Sequence, residues 1–359
     1  MIWRLSSNAS SIGAGFGVAA LALMLVQCAP GETPTRGHLP SPVTNNAVAY
    51  IDSDTGGTIL SFMGLGAGKT HADIVRAAYA CEASTLECRV LPDVPVPEGR
   101  LASSAAVAGG LVYIFGGYTV AADGAERSTP EVFRFDPVIE AYTRVADIPV
   151  PVDDSTAITL FDRYIYLVSG WHNTANVALV QIYDARENRW FRGTDFPGAP
   201  VFGQAGGAAG STLMIAGGVR LELGADGARR FVASDEVWRG DVADPSAPQN
   251  IVWTRVAQPP AGPFYRMAAG QGEHDRVVFV GGGDNPYNYD GVGYDGAPAR
   301  PSNRIMGYSI RGDTWIDLGL TSASMNHRGL LVGPREYYIV GGMSQDGAVL
   351  NEIRRIPRQ

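Results

Sequence analysis

An apolar run that ends in two glycines recurs along the chain and constrains its fold more than any other sequence feature. The clear copies are LVYIFGG, LMIAGG, VVFVGG and YYIVGG, which end at Gly117, Gly218, Gly282 and Gly342. Two weaker copies, IYLVSG and ILSFMGLG, end at Gly170 and Gly66, so the six copies stand roughly 50 to 65 residues apart. A strand-rich unit repeated at such a spacing is typical of propeller blades. The sequence therefore predicts an all-β ring of six blades.

A second pattern follows the glycine pairs: two aromatic residues stand seven positions apart with a polar turn between them. The pairs are Phe135 and Tyr142, Tyr183 and Trp190, and Tyr308 and Trp315. Residues at this spacing can face each other across a hairpin, where an aromatic pair stabilises the sheet. The glycine pair together with the aromatic residues resembles the kelch repeat, over nearly all of the chain that follows the N-terminal segment. The resemblance implies a six-bladed kelch β-propeller that forms a single domain.

In the first repeat, Cys81 and Cys88 stand where the other repeats have the two aromatic residues. A disulfide would link the same two strands that an aromatic pair links elsewhere. Paired cysteines fit an oxidising compartment. Two buried free thiols are the alternative.

The N-terminal segment has the features of a bacterial export signal. Arg4 precedes an apolar run over residues 12–26, which has the length of a signal-peptide core and is short for a membrane span. Leu25, three residues before Cys28, resembles the lipobox, so we expect a signal peptide over residues 1–27 and a lipid on Cys28. A plain signal peptide or an uncleaved anchor is the alternative. The protein would then lie in the bacterial cell envelope, on the periplasmic side of the membrane or at the cell surface.

The rest of the chain divides into a tether and the propeller. Residues 28–37, rich in Pro, Gly and Thr, are expected to form a lipid-anchored flexible tether, and residues 38–359 the propeller. The expected blades span roughly residues 46–97, 98–150, 151–200, 201–260, 261–320 and 321–359. The last blade lacks a fourth strand. Because segment 33–40 is similar to the outer-strand ending CRVLP of the first blade, we expect it to supply that strand and cover both free edges.

Composition excludes several classes of function. The net charge of -8 argues against nucleic acid as a partner, since the sequence contains no basic stripe. The three cysteines are assigned to the lipid and the bridge, so none is left for the tyrosine–cysteine cofactor of galactose oxidase, a copper enzyme that shares the kelch propeller. The five histidines show no metal-ligand spacing. We expect no metal, no other cofactor, and membrane contact only through the N-terminal lipid.

The connections between blades carry the first candidate ligand-binding residues. Arg100, Arg266 and Arg328 each stand just before an inner strand, and three guanidiniums around the channel mouth would bind a small acidic ligand. Alternatively, these arginines only pair with neighbouring carboxylates and carbonyls. The same connections supply four more candidates: Asp154, Gln204, Tyr265 and His327.

The loop after the fifth glycine pair supplies further candidates. It interleaves Tyr287, Tyr289 and Tyr294 with Asp and Asn, a combination of flat apolar faces and hydrogen-bonding groups that suits a sugar ring. Trp171 and His172 in the third repeat offer the same combination. A Ca²⁺ site and a protein-binding surface are the alternatives, although the spacing of the carboxylates does not match an EF-hand loop.

Among kelch proteins, the sequence is similar to the sialic acid mutarotase family, the exported N-acetylneuraminate epimerases of bacteria. The similarity includes GLG at residues 64–66 and arginines comparable to Arg100 and Arg328. It implies interconversion of the anomers of a sugar carboxylate. The family's proposed general base is a Glu directly after the fourth-blade glycine, where this chain has Val219, and Glu222 could replace it only if the loop is rearranged. Two functions stay open: an isomerase of this type, and a non-catalytic scaffold that binds an envelope protein.

Overall fold

Six four-stranded antiparallel sheets, the blades of a propeller, form the framework of the described part of the chain. The computed structural model describes residues 36–52, 56–260, 262 and 265–358. Apart from one 3-10 helix at His71–Asp73, the regular structure of these residues is β-strand, and no helix among them is long and apolar enough to cross a membrane. The all-β six-bladed propeller predicted from the glycine repeat is thus confirmed.

The strands are numbered β1 to β30 in chain order and are given for each blade from the channel outward. In blade 1 they are Ala47–Ile51 (β2), Thr58–Leu65 (β3), Ile74–Glu82 (β4) and Cys88–Leu91 (β5). In blade 2 they are Ser104–Ala108 (β6), Leu111–Phe115 (β7), Val132–Asp136 (β10) and Ala141–Val145 (β11). In blade 3 they are Thr156–Leu160 (β12), Tyr164–Val168 (β13), Val180–Asp184 (β16) and Arg189–Arg192 (β17).

The second half of the ring repeats the arrangement. In blade 4 the strands are Ala205–Ala209 (β18), Thr212–Ala216 (β19), Val237–Asp241 (β22) and Val252–Val256 (β23). In blade 5 they are Ala268–Gln271 (β24), Arg276–Val280 (β25), Arg304–Ser309 (β26) and Thr314–Leu320 (β27). In blade 6 they are Leu331–Val332 (β28), Glu336–Val340 (β29), Glu352–Pro357 (β30) and Arg36–His38 (β1).

Three two-stranded hairpins extend from blades 2, 3 and 4, each in the loop that follows the glycine pair. They are formed by Tyr118–Val120 (β8) with Glu126–Ser128 (β9), Trp171–His172 (β14) with Ala175–Asn176 (β15), and Val219–Leu223 (β20) with Arg229–Ala233 (β21). Because each hairpin starts directly beyond a second strand, the three lie on the same end of the propeller.

The glycine pair recurs because the second strand of each blade ends in two residues with left-handed backbones. In blade 2, Gly117 has a φ of 86°, and a Cβ on it would lie 2.6 Å from the carbonyl oxygen of Leu101. Glycine is the residue that tolerates both conditions. In blade 1 the two residues are Met63 and Gly64, with φ of 55° and 115°. The glycine of the first repeat is therefore Gly64 rather than Gly66.

The cross-strand pairs between the third and fourth strands are confirmed. Ring centroids lie 4.9, 5.1 and 5.2 Å apart in the pairs Phe135–Tyr142, Tyr183–Trp190 and Tyr308–Trp315. Cys81 faces Cys88 at the corresponding position of blade 1, and the two form a disulfide. In blade 4, Gly240 faces Trp253, whose ring would lie 2.7 Å from a Cβ added to the glycine. In blade 4 the single ring of Trp253 therefore occupies the space that two aromatic rings fill in blades 2, 3 and 5.

The last blade is completed by β1, which pairs antiparallel with β30. Gly37 lies opposite Ile353, and the N–H of Leu39 donates to the carbonyl of Asn351 at 2.7 Å. A Cβ on buried Gly37 would collide with the side chain of Leu86 in blade 1. The prediction that an N-terminal segment closes the ring is confirmed for residues 36–38 of the expected segment. The predicted signal peptide, Cys28 and the tether up to residue 35 lie outside the described residues.

A circuit of backbone hydrogen bonds runs around the channel just before the inner strands. One residue per blade takes part, each with φ between 50° and 66°: Asn45, Ala102, Asp154, Gly203, Arg266 and Asn326. We call these residues the hydrogen-bonded ring. The N–H of each of the first five donates to the carbonyl of the ring residue in the preceding blade, and the N–H of His327 closes the circuit on Arg266, at 2.8 to 3.3 Å. The ring therefore brings side chains from different blades together at one end of the channel.

Candidate ligand site at the channel mouth

Two cavities lie along the propeller axis. The channel cavity, of about 320 Å³, is lined by the inner strands and by Arg328. The mouth cavity, of about 160 Å³, is lined by the three hairpins, by Asn288 and Tyr294 of the blade-5 loop, and by Asp154 and Arg266 of the hydrogen-bonded ring. The ring thus marks the boundary between the channel and the mouth.

Three charged side chains from three blades meet at this boundary. Arg266 donates from Nε to Oδ1 of Asp154 at 3.1 Å and from Nη2 to Oδ2 at 2.5 Å. Nη1 of Arg328 lies 2.5 Å from Oδ1 of the same carboxylate, and all three side chains are buried. Burial alone would raise the pKa of Asp154, but Arg266 and Arg328 more than offset it, so the pKa is lowered. We call these three residues the ion triad.

The expectation that three arginines converge on the mouth requires correction. Arg100 is buried away from the ion triad, where Nη2 lies 2.8 Å from Glu131 and Nη1 donates to the carbonyl of Gly116 at 3.3 Å. The reason is a difference of register. Arg266 is itself a ring residue, whereas Arg100 stands two positions before the ring residue of its blade and Arg328 two positions after. The three arginines therefore leave the ring in different directions, and each is neutralised by a carboxylate of the chain.

The other residues predicted from the sequence are divided among several places. Asp154, Arg266, Trp171 and Tyr294 line the mouth cavity, and Gln204, His327 and Arg328 line the channel cavity. Burial, with Arg354 and Arg328 adding to it, lowers the pKa of His327 to about 3, so this side chain is neutral. In the described residues, no group of His, Cys, Asp and Glu is arranged to hold a metal ion.

The remaining candidates do not line either cavity. Tyr265 and Tyr287 are almost completely buried and pack against each other, with ring centroids 4.9 Å apart. Tyr289 is a partly buried member of the same apolar cluster. Nδ1 of His172 lies 2.6 Å from the carbonyl oxygen of Pro151. Glu222, the weak candidate for a general base, is exposed and pairs with Arg220 at 2.7 Å.

Aromatic side chains form one wall of the mouth cavity. Trp171 lies 5.3 Å from Phe202, Phe202 lies 5.9 Å from Phe231, and Phe231 stacks on Tyr294 at 4.0 Å, measured between ring centroids. Trp171, Phe231 and Tyr294 come from the loops between the second and third strands of blades 3, 4 and 5. Phe202 comes from the connection between blades 3 and 4. The four side chains form a continuous apolar surface beside the hydrogen-bonded ring. Such a combination suits a ligand with one apolar face and several hydroxyls.

Arg229 of hairpin β20–β21 is a cation at this wall that is not among the residues predicted from the sequence. Its guanidinium lies over the rings of Trp171 and Phe231, 5.2 and 5.7 Å from their centroids, and Nη2 donates to the carbonyl of Thr174 at 2.9 Å. Over the described part of the chain, no carboxylate lies within 4.0 Å of it. The alternation of Arg229 and Phe231 along β21 indicates a shared face, but Arg229 lies outside the connections between blades in which the sequence predicts binding arginines.

Two carboxyl groups complete the mouth cavity. Asp153 is buried, and the hydroxyl of Ser128 donates to its Oδ2 at 2.6 Å. Burial, followed by the adjacent charge of Asp154, raises the pKa of Asp153 well above its usual range. Glu126 is partly open to solvent, but its carboxyl group lies inside the cavity wall, where the loss of solvent raises its pKa. The charge of Arg266 opposes this rise, and the charge of Asp154 adds to it. The cavity can therefore hold a proton close to a bound ligand.

A family model for the kelch motif matches residues 99–149, which include all four strands of blade 2. This chain is a kelch-repeat propeller. Its blades repeat the matched unit six times, with the same left-handed residue pair and, in three blades, the same aromatic pair.

Curated relatives match the kelch propeller either in part or over nearly its whole length. It is 30% identical to Kelch-like protein 15 of Gallus gallus over 128 residues, 36% of this chain and 25% of that protein. The chain thus spans a quarter of that relative's length. It is 22% identical to the N-acetylneuraminate epimerase of Salmonella arizonae over 388 residues, 93% of each protein. A solved structure described as "Structure of YjhT" superposes with a TM-score of 0.71 at 16% identity, covering 90% of this chain and 97% of that one, which shows the same fold.

Proposed function

We propose that this kelch propeller binds a small sugar that carries a carboxylate, and that it does so in the mouth cavity. The observation that carries this proposal is the position of Arg229, a guanidinium beside an aromatic wall and without a carboxylate partner in the described residues. Its planar fork would bind the ligand's carboxylate with two hydrogen bonds. Trp171 and Phe231 would contact the apolar face of the sugar, and Asn288 would offer its amide to a hydroxyl.

The size of the mouth cavity sets how a sugar would lie in it. Its volume of about 160 Å³ is close to that of an engineered cavity of roughly 150 Å³ that accepts benzene. One six-membered ring therefore fits, while longer substituents would extend toward solvent. Arg266 and Arg328 are poor anchors for the carboxylate, because both are already engaged by Asp154.

The comparison with a full-length relative supports the class of ligand. The name of the Salmonella arizonae protein identifies it as acting on N-acetylneuraminate, a sugar with a carboxylate, and the similarity extends over 93% of both chains. N-acetylneuraminate is therefore the probe of choice.

Titration calorimetry with N-acetylneuraminate tests the proposal. Arg229→Ala should weaken binding about 10- to 100-fold, the range expected for a charge-assisted hydrogen bond of about 1.5 to 3 kcal/mol. Stability should change little, because Arg229 is exposed.

Arg230→Ala is the matched control. Arg230 is the next residue of β21, its side chain is 62% exposed, and its guanidinium lies 3.8 Å from Asp226 outside the cavity. Equal losses in the two variants, or no binding to the wild-type protein, would refute the proposal. The methyl ester of the sugar should bind wild type and Arg229→Ala alike, since it lacks the charge that Arg229 recognises.

We also propose that the protein acts in the bacterial cell envelope. The disulfide between Cys81 and Cys88 supports an oxidising compartment. A signal peptide over residues 1–27 and a lipid on Cys28 remain predictions from the sequence.

A further inference from the structure

Two carboxyl groups of the mouth cavity are placed to exchange protons with a bound sugar. We infer that Glu126 and Asp153 form an acid–base pair that opens and recloses the ring of a reducing sugar, which would make this protein an isomerase of sugar anomers. The inference rests on the proposed function, because it requires the sugar to occupy the mouth cavity.

The hairpin β8–β9 carries the geometry of the pair. Glu126 and Ser128 stand two positions apart on β9, so their side chains lie on the same face of the strand. Ser128 is fixed from both sides: its hydroxyl donates to Oδ2 of Asp153 at 2.6 Å and accepts from the N–H of Asn173 at 2.9 Å. The strand that presents Glu126 to the cavity is thus attached directly to Asp153.

The surroundings of the two carboxyl groups assign their roles. Asp153 is buried beside ionised Asp154, which favours its protonated form, and Ser128 already donates to Oδ2. Within the described residues, no group hydrogen-bonds Oδ1, so the proton of the acid can point toward a ligand. Arg266 opposes the rise in pKa at both groups, but Glu126 is the more exposed and its pKa is raised less, so it ionises first. A pair of carboxyl groups held in different protonation states is the usual basis of acid–base catalysis.

Opening and reclosing the sugar ring requires no reactant besides the sugar and these two carboxyl groups. Glu126 removes the proton of the anomeric hydroxyl, the carbonyl forms, and the bond between the anomeric carbon and the ring oxygen breaks. The electron pair of that bond stays on the ring oxygen, which takes the proton of Asp153. After rotation of the open form, the same hydroxyl attacks the other face of the carbonyl and returns its proton to Asp153, while Glu126 gives its proton to the carbonyl oxygen.

The strand that follows the fourth glycine pair, β20, brings no carboxyl group to the cavity, because its Glu222 is exposed and pairs with Arg220 outside it. Val219 is buried there, and its N–H and carbonyl are bonded to the carbonyl and N–H of Phe202. Proton transfer would therefore come from the hairpin of blade 2 and the connection into blade 3, which meet at Ser128 and Asp153.

Exchange spectroscopy of N-acetylneuraminate anomers by NMR tests the inference. The wild-type protein should exchange the anomers faster than the spontaneous reaction does, and Glu126→Gln should lower the rate constant by about 10²- to 10⁴-fold while the dissociation constant stays within about threefold. Glu222→Gln is the matched control, because Glu222 is exposed, paired with Arg220 and outside the cavity. It should leave the rate unchanged.

The pH profile separates a catalytic from a structural role. The charged and titratable groups around the pair are Asp154, Arg266 and three tyrosines, Tyr118, Tyr289 and Tyr294. The wild-type rate at saturating sugar should fall at low pH, as Glu126 takes a proton, and at high pH, as Asp153 loses one. Asp153→Asn should lower the maximum and abolish the fall at high pH.

The other possible outcomes distinguish failure of this inference from failure of the proposed function. Binding of N-acetylneuraminate without accelerated exchange would overturn this inference and leave the proposed function standing. Absence of binding would overturn both. Accelerated exchange that survives both Glu126→Gln and Asp153→Asn would show that the pair is not the acid and the base.

Discussion

Asp153 and Asp154 are neighbours with identical side chains, and their surroundings drive their protonation in opposite directions. Asp154 lies between the guanidiniums of Arg266 and Arg328, which outweigh the effect of burial and lower its pKa. Asp153 is equally buried but has the hydroxyl of Ser128 for a partner, and its pKa is raised. The left-handed backbone of Asp154 turns the two side chains into different environments. Asp154 therefore stabilises the fold, whereas Asp153 is available to donate a proton.

This difference predicts an unusual effect of Asp153→Asn on stability. A carboxyl group whose pKa is raised by folding stabilises the protein fully only below its ordinary pKa, near pH 4, and the contribution is lost as pH rises through the folded value. Asn resembles the protonated form at every pH. In urea unfolding, Asp153→Asn should match wild type near pH 3 and become the more stable of the two toward pH 7.

Asp154→Asn is the control with the opposite sign. It removes the shared partner of two buried guanidiniums, so we expect a loss of about 3 to 5 kcal/mol at neutral pH. A loss of stability in Asp153→Asn at pH 7 would show that Asp153 is ionised in the folded protein.

At the scale of secondary-structure elements, the outer hairpins could be predicted and the mouth hairpins could not. The spacing of seven between Tyr183 and Trp190, or between Cys81 and Cys88, is a local property of two adjacent strands, so sequence alone locates the contact. The hairpins β8–β9, β14–β15 and β20–β21 share no sequence pattern. Glu126 and Arg229 meet in one cavity only because the ring places their blades around it, and such a contact between distant elements leaves no periodicity to detect.

Replacing the disulfide of blade 1 tests the equivalence of the bridge and the aromatic pair. The double variant Cys81→Ser and Cys88→Ser should lose about 2.5 kcal/mol in urea unfolding, the chain-entropy value for a loop closed by residues seven apart. Cys81→Tyr combined with Cys88→Trp should recover part of the loss by restoring the aromatic pair of the other blades. A double serine variant as stable as wild type would show that the sheet of blade 1 does not depend on the cross-link.

At the scale of the whole molecule, the number of blades and the closure by β1 could both be predicted from the repeat. Six copies of the glycine motif define six second strands, and a sixth unit with three strands requires a fourth from elsewhere. The positions of Arg100, Arg266 and Arg328 could not be predicted, since a shift of two residues relative to the hydrogen-bonded ring changes the element that each contacts. The architecture follows from what the repeats share, whereas the site depends on how they differ.

A large side chain introduced into β1, the strand that completes blade 6, should open the propeller. Gly37→Leu places a side chain against Leu86, and such overpacking costs about 1 to 3 kcal/mol. The thermal midpoint should fall and aggregation should increase, because the edge of β30 would be exposed. His38→Leu is the matched control: it makes a similar change at the next residue, whose side chain is exposed, and it removes only a surface hydrogen bond to Asn351, so the midpoint should fall much less. Equal midpoints for the two variants would mean that β1 contributes little to closure.

The closure also sets the order in which a newly made chain can finish folding. Five blades consist of strands that are near neighbours in sequence, whereas the amide of Asn351 donates to the carbonyl of Leu39 across 312 positions. At a synthesis rate of about 5 to 20 residues per second, β1 waits roughly 15 to 60 s for its partner to leave the ribosome. During that time β1 has no strand to pair with, because β30 has not yet been made. Completion of the propeller is therefore an event of the full-length chain, and any pause in translation prolongs the interval in which the growing protein is most prone to self-association.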